Sequence, residues 1–380
     1  ANGIGVLGSA DCGDQIRVWI KVEDDTLRQV RHQVFGCPAA IAACSMMTQL
    51  AAGLSLTAAL ELSDDDVAKA LGGLPPEKYH CSNLAATALH KAVESYRTGQ
   101  TALAAGITVT ALINNEMPAP LAAEHGLAFW IEAAGRHILF DTGQSEALLQ
   151  NAQLLDIDLA GTDAVVLSHG HYDHTGGLRA VLEKAPEAIV YLHPNAAKMR
   201  YSCKPDKPPK NIAMPPAALG AVADHAAKGK VIYTDTPERI VPGVTATGHI
   251  PRQTAYEDTG GPFYLDKTCQ APDPIEDDQA LLLETAEGGV VLLGCAHAGM
   301  VNTLKYATEL MPQPICGVLG GTHLRVASEN RLEKTFEAVK AYHLKTIAPC
   351  HCTGNAAAIE FKTRFPRAFA DIKTHIRMTF

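Results

Sequence analysis

Ser168-His169-Gly170-His171-Tyr172-Asp173-His174-Thr175-Gly176-Gly177-Leu178 packs three histidines and an aspartate directly behind the apolar run Ala164-Val165-Val166-Leu167. The run reads as an interior strand, and the paired glycines close the segment behind it, so the histidines fall on a tight loop at the strand's carboxyl end. His169 and His171, two apart in an extended segment, point the same way and can grip one cation. Asp173 and His174 come next on the turn, placed to face a second. Neutral imidazole suits zinc, iron, manganese or nickel, and a carboxylate hardens the set. The alternative is a run of surface histidines beside a turn. Three histidines plus an aspartate at this spacing argue against it.

Outward from this loop the same pattern recurs. Leu139-Phe140-Asp141-Thr142-Gly143, Gly294-Cys295-Ala296-His297-Ala298-Gly299, Gly320-Gly321-Thr322-His323-Leu324 and Pro349-Cys350-His351-Cys352-Thr353-Gly354 each end an apolar strand in an aspartate or histidine. Sites in layered α/β folds gather at such strand ends. With the H-x-H-x-D-H stretch, these motifs resemble the metallo-β-lactamase superfamily over roughly residues 105 to 380. Within it they are closest to the branch similar to the methanopterin-pathway ribofuranosylaminobenzene phosphate synthase. The resemblance implies an αββα sandwich of two sheets between helices. It also implies His169, His171 and His297 on one metal, Asp173, His174 and His351 on another, and one or two divalent metals, with zinc expected ahead of iron or manganese. Asp173 would hold the second metal or orient the nucleophile, and His323 would contact substrate or oxyanion. His249, in Thr247-Gly248-His249, stands where related proteins carry an acidic residue and is not counted as a ligand. Gly294-Cys295 replaces the glycine-aspartate turn that bridges two metals elsewhere in the superfamily.

At 380 residues, two domains are the expectation. A hydrophobic content of 47% supports real cores, and no apolar stretch approaches a membrane span. No charged-then-apolar leader is visible, so a soluble cytoplasmic protein is expected. A net charge of -9 gives no general attraction to nucleic acid. Ten cysteines in a chain of this length read as reduced thiols and metal ligands rather than disulfides. Cys44, Cys203, Cys269 and Cys316 have no motif of their own and read as buried small apolar side chains. The proline-rich, basic stretch 202–210 reads as a surface loop or as a lid whose lysines attract an anionic substrate. Asp277 and Asp278 read as a solvated turn or a loop approaching the site.

The first hundred residues have another texture. Ile16, Val18, Ile20 and Val22 alternate with polar neighbours and turn at Glu23-Asp24-Asp25 into a second strand, a hairpin with one buried face. Helices are expected from Cys37-Pro38, after Ser63 and from Cys81. A helix amino terminus favours anions, so Cys37 and Cys81 are both expected to have lowered thiol pKa values. Cys12, Asp14 and His80 complete a set of soft and hard donors suited to zinc or an iron-sulfur cluster. Cys12-Gly13-Asp14, Phe35-Gly36-Cys37-Pro38 and Lys78-Tyr79-His80-Cys81-Ser82 resemble the ligand segments of NifU/IscU-type iron-sulfur scaffolds. The resemblance implies an α+β domain over 1–98, a small antiparallel sheet with helices, holding a 2Fe-2S cluster or zinc through Cys12, Cys37 and Cys81 with Asp14 or His80. Glu77 stands where that family's chaperone-binding segment is usually apolar. A linker is expected over 99–104 before the second domain, 105–380.

The leading functional expectation is a metal-dependent hydrolase or transferase, with a metal-bound water or Lewis acid acting on a small anionic ester or phosphate-type substrate. The alternative is an iron-sulfur assembly or carrier protein, with a cysteine desulfurase or apo-acceptor as partner and the second domain as a partner-binding, redox-sensing or metal-supplying module. A diiron redox enzyme is disfavoured by His171, where that branch carries glutamate, and by the lack of a flavin domain.

Overall fold

The computed structural model describes residues 3–8, 14–75, 78–311 and 313–380. The chain divides into two compact units, 1–101 and 102–380.

In the first unit the alternating run becomes the middle strand of an antiparallel sheet, with Gly3–Gly8 and Thr26–Phe35 on either side of Gln15–Glu23. Ile16, Val18, Ile20 and Val22 face the helices and are buried. Asp24 and Asp25 make the turn with φ of 50° and 57°, the paired left-handed conformation that matches strand twist in a two-residue hairpin. Ser63 caps Asp64–Ala70 in a reciprocal box with Asp66. The helix Tyr79–Ala105 lies so close to the first strand that a Cβ on Gly5 would sit 2.0 Å from the Ala88 carbonyl oxygen. Only glycine fits there. This helix also runs through 99–104, expected as a linker. The single Gly99 within it costs the helix about 1 kcal/mol relative to alanine.

The second unit contains, among the described residues, a seven-stranded and a six-stranded mixed sheet, plus a short three-stranded one. The parallel centre of the larger sheet is Arg136–Phe140, Ala164–Val166 and Ile189–Leu192. The smaller sheet has its parallel strands at one side, Gly288–Leu293, Ile315–Gly321 and the edge strand Thr346–Cys350. Residue alternation shows how they stack. Phe129, Ile131 and Ala133 join one core with Leu281, Leu283, Val290 and Leu292 of the other sheet, whereas Ala128 and Trp130 face a second core with Leu148, Val181 and Leu182 of the helices. The opposite face of the smaller sheet buries Val291 and Leu293 against Leu304, Phe336 and Phe361. The order is therefore helix, sheet, sheet, helix, with the expected αββα layers. Both parallel runs end on one rim, and that rim carries Asp141, His169, His297, His323 and His351.

The cysteine expectation needs one correction. Cys203 and Cys269 form a disulfide, with Cα atoms 6.2 Å apart. They are brought together by the short sheet in which Phe263 pairs with Ser202, and neither is packed in a core. Cys44 and Cys316 are buried thiols, as expected.

Candidate functional site

Asp141 organises the histidine loop. Fully buried, with φ of 61°, it accepts from the Ser168 backbone N–H at 2.7 Å, the Ser168 hydroxyl at 2.7 Å and His174 Nδ1–H at 2.6 Å. Because the Ser168 hydroxyl spends its proton on Asp141, its oxygen accepts from His169 Nδ1–H at 2.9 Å. His297 Nδ1–H donates to the Thr259 carbonyl at 2.7 Å, and His351 Nδ1–H to Asn115 Oδ1 at 2.8 Å. Four imidazoles are thus anchored through Nδ1, which fixes their tautomers and leaves each Nε2 turned inward. Anchoring of this kind orients metal-binding histidines.

The inward atoms converge. His169 Nε2 lies 3.0 Å from His171 Nδ1, and His174 Nε2 lies 3.2 Å from both His351 Nε2 and Cys295 Sγ. Two nitrogens each about 2.05 Å from one zinc would be separated by about 2.9 to 3.4 Å, so the spacings suit shared cations. His171 Nε2 and His297 Nε2 are buried without a partner, an arrangement that costs free energy unless something charged or polar is supplied. Asp173 Oδ2 lies 3.2 Å from His125 Nε2 and 3.5 Å from His351 Nε2. The donor atoms group as His169, Cys295 and His297, as His174, Cys295 and His351, and as His125, Asp173 and His351. The residues present therefore fit the divalent metals that the motifs imply.

Burial depresses His169, His171, His297 and His351 well below the usual imidazole range, reinforced for His169 and His351 by His174. Burial also opposes charge on His174, yet the Asp141 and Asp173 carboxylates raise it to about 9. The linkage has two parts. Depressed histidines lose stability as pH falls below their unfolded value of about 6.5, because the unfolded chain takes up protons that the fold refuses. The His174 contribution is fully present below about 6.5 and is lost as pH rises through about 9. Metal-free protein is expected to be most stable near neutrality and to lose stability more steeply on the acid side, where the depressed histidines of the cluster act together. Urea unfolding from pH 5 to 10 measures this.

The loop is held from outside by a buried ion network. Arg200, fully enclosed, bonds Asp273 at 2.7 Å and both oxygens of Asp277, and Asp277 Oδ2 accepts from Gly170 N–H at 2.7 Å. Asp277 and Asp278 are buried and belong to no solvated turn. A Cβ on Gly170 would lie 1.9 Å from the Ala196 carbonyl oxygen. Gly170→Ala is expected to displace both flanking histidines and cost about 1 to 3 kcal/mol, read as a lower unfolding temperature together with lower zinc content. Positive φ also recurs along the rim at Ala296 (53°), His323 (50°) and His351 (52°). Strained backbone of this sort concentrates at functional sites.

The donors open into a cleft of about 620 Å³ lined by His125, Tyr172, Lys204, Lys207, Lys210 and Phe263, among others. The basic stretch is therefore at the mouth of the site, with Lys210 Nζ 2.9 Å from the Tyr172 hydroxyl. His323 lies against His297 with ring centroids 4.4 Å apart, and burial lowers it to about 4. His249 is outside the cluster and bonds the Glu276 carbonyl at 2.9 Å. Asn115 and His125 are participants that sequence reasoning missed. Asn115 comes just after the strand Thr108–Ile113 and His125 sits in a loop, with no motif to mark either.

In the first unit, Cys37 is the N-cap of Pro38–Ala51 and Cys81 lies in the first turn of Tyr79–Ala105. Their sulfurs are 3.8 Å apart, His80 Nε2 is 3.5 Å from Cys81 Sγ, and Asp14 Oδ1 accepts from Cys37 N–H at 3.0 Å. Asp14 Oδ2 is buried without a partner. Cys12 lies outside the described residues. Hydrogen bonding from Ala40 N–H lowers the Cys37 thiol, as expected at a helix start. Cys81 is the reverse: burial, then the neighbouring Cys37, raise it to about 11. A helix terminus does not compensate for lost solvent.

These two constellations define the class. Residues 1–103 match the NifU-like N terminal domain and residues 122–251 match the Metallo-beta-lactamase superfamily. The chain belongs to the metallo-β-lactamase superfamily and carries a NifU-like domain at its amino end. It is 30% identical over 268 residues to the 7,8-dihydropterin-6-methyl-4-(beta-D-ribofuranosyl)-aminobenzene-5'-phosphate synthase of Methanocaldococcus jannaschii, covering 66% of this chain and 90% of that protein. The first unit is 49% identical over 96 residues to the iron-sulfur cluster assembly scaffold protein IscU 1 of Archaeoglobus fulgidus, covering 25% of this chain and 63% of the scaffold. A solved structure of a metal-dependent hydrolase of the beta-lactamase superfamily superposes with a TM-score of 0.61 at 28% identity, over 72% of this chain and 98% of that one. Membership implies divalent-metal binding in the second unit and iron-sulfur or metal binding in the first. Among the described residues, no helix is long and apolar enough to cross a membrane.

Proposed function

We propose that the second unit is a metal-dependent hydrolase or transferase acting on a small ester or phosphate-type molecule. The observation that carries this reading is the set of imidazoles anchored through Nδ1 with their Nε2 atoms converging beside Asp173 and Cys295. His169, His171 and His297 would hold one cation, and Asp173, His174 and His351 a second. A bound zinc, iron or manganese supplies Lewis-acid activation of a carbonyl or phosphoryl oxygen. The chain does the rest. Lys204, Lys207 and Lys210 at the cleft mouth draw in an anion, Phe263 excludes water, and His323, neutral at physiological pH, contacts the substrate oxygen. Asp173, within reach of His125 and His351, orients the attacking group. The synthase relative's name contains a ribofuranosyl 5'-phosphate, which supports a phosphate-bearing substrate.

A second reading rests on the first unit, where Cys37, Cys81, Asp14 and His80 lie together. In it the chain assembles or carries an iron-sulfur cluster, with Cys12 as third thiolate and a cysteine desulfurase or apo-acceptor as partner. The two readings separate in one comparison on the metal-loaded full chain. Turnover of a phosphomonoester and phosphodiester panel that is lost in His171→Ala and kept in Cys37→Ser supports the first. Cluster transfer to an apo-ferredoxin lost in Cys37→Ser, with no turnover of any panel member, supports the second.

A further inference from the structure

We propose that the Cys295 thiolate is the ligand shared between two cations in the second unit. This rests on the metal-site reading above. Of the described side chains around the cleft, Cys295 alone belongs to both histidine sets, with donor atoms in each set within 4.8 Å of one another. On one side stand His169 and His297; on the other, His174, whose Nε2 is 3.2 Å from the sulfur, and His351. Asp173, the carboxylate expected on the second metal, groups only with His125 and His351.

The position is built rather than incidental. Cys295 is 3% exposed, at the end of Gly288–Leu293, where Gly294 presses on Ser168 so closely that a Cβ would lie 2.1 Å from its hydroxyl. That contact brings the thiol up to the histidine loop. The unpartnered His297 Nε2, fully buried two residues on, is an independent sign of a site suited to a cation beside Cys295. Cys352 is the competitor and fails on geometry. Its Sγ bonds the Cys295 carbonyl at 3.6 Å, and it groups with Cys295 and His323 but with neither histidine triad. Cation binding displaces the thiol proton to solvent, with no change of oxidation state. A soft thiolate between imidazoles selects zinc or iron over manganese or magnesium.

Cobalt(II) gives a readout independent of activity, because thiolate ligation produces an intense near-ultraviolet charge-transfer band. The full chain carrying Cys12→Ser, Cys37→Ser and Cys81→Ser, which silences the first unit, is titrated with cobalt and compared with the same chain bearing one further change. The expected result is a thiolate band that disappears in Cys295→Ser and survives in Cys352→Ser. Cys295→Ser should also bind its second cobalt at least about 10-fold more weakly. Cys295→Asp should keep two cobalt ions without the band, which separates loss of a ligand from loss of the fold. A band that survives Cys295→Ser, or histidine-type visible bands without any thiolate band in the starting chain, overturns the shared thiolate and leaves the histidine site standing. Absence of both kinds of band overturns the metal-site reading itself.

Discussion

Asp141→Ala is expected to lower the second unit's zinc affinity by at least about 10 to 100-fold and its turnover with it, although Asp141 is in neither donor set. The substitution leaves the Ser168 N–H and His174 Nδ1–H without acceptors in a fully buried space. It also frees the Ser168 hydroxyl, so His169 loses the group that holds its tautomer. One carboxylate therefore controls one histidine from each set. Asp141→Asn is the sharper variant, because it retains the volume. Its amide can offer an acceptor to only part of the network, and metal content by mass spectrometry should lie between wild type and alanine.

Arg200→Ala should be the most destabilising single change in the second unit. The guanidinium is 1% exposed and satisfies Asp273 and Asp277, so its loss strands two buried carboxylates. Breaking a buried ion network by removing one partner costs about 3 to 5 kcal/mol. For a unit of this size that corresponds to a fall of roughly 10 °C in unfolding temperature. The effect reaches the site through Asp277, which holds Gly170 N–H between the two histidines of the loop. Calorimetry should show the second unit's transition moving while a first-unit transition stays in place. A shift below about 2 °C, at the scale of an exposed substitution, would remove Arg200 from this role.

How much could be read from the sequence depends on the range of the forces involved. The histidine loop, the strand-end aspartate and the later histidines were legible because each sits directly behind a local apolar run. In the first unit the two-residue alternation from Ile16 to Val22 and the cap at Ser63 were legible for the same reason. What stayed hidden depends on distant partners. The Cys203–Cys269 disulfide requires the register that sets Phe263 beside Ser202, across an intervening helix and strands. The Cys81 thiol responds to burial, which no local pattern reports, and not to the helix terminus that the pattern does report. Asn115 anchors His351 across 236 positions of chain, with no residue type in its neighbourhood to announce it. Asp277 and Asp278 look like a polar turn until Arg200 is placed beside them.

Each unit is expected to hold its own metal. Iron, zinc and acid-labile sulfide, measured on the anaerobically purified full chain, on Cys37→Ser and on His171→Ala, test it most directly. Cys37→Ser is expected to lose iron and sulfide while the second unit's metal is unchanged. His171→Ala is expected to lose that second metal and to keep the sulfide. Retention of the full metal content in His171→Ala would contradict this.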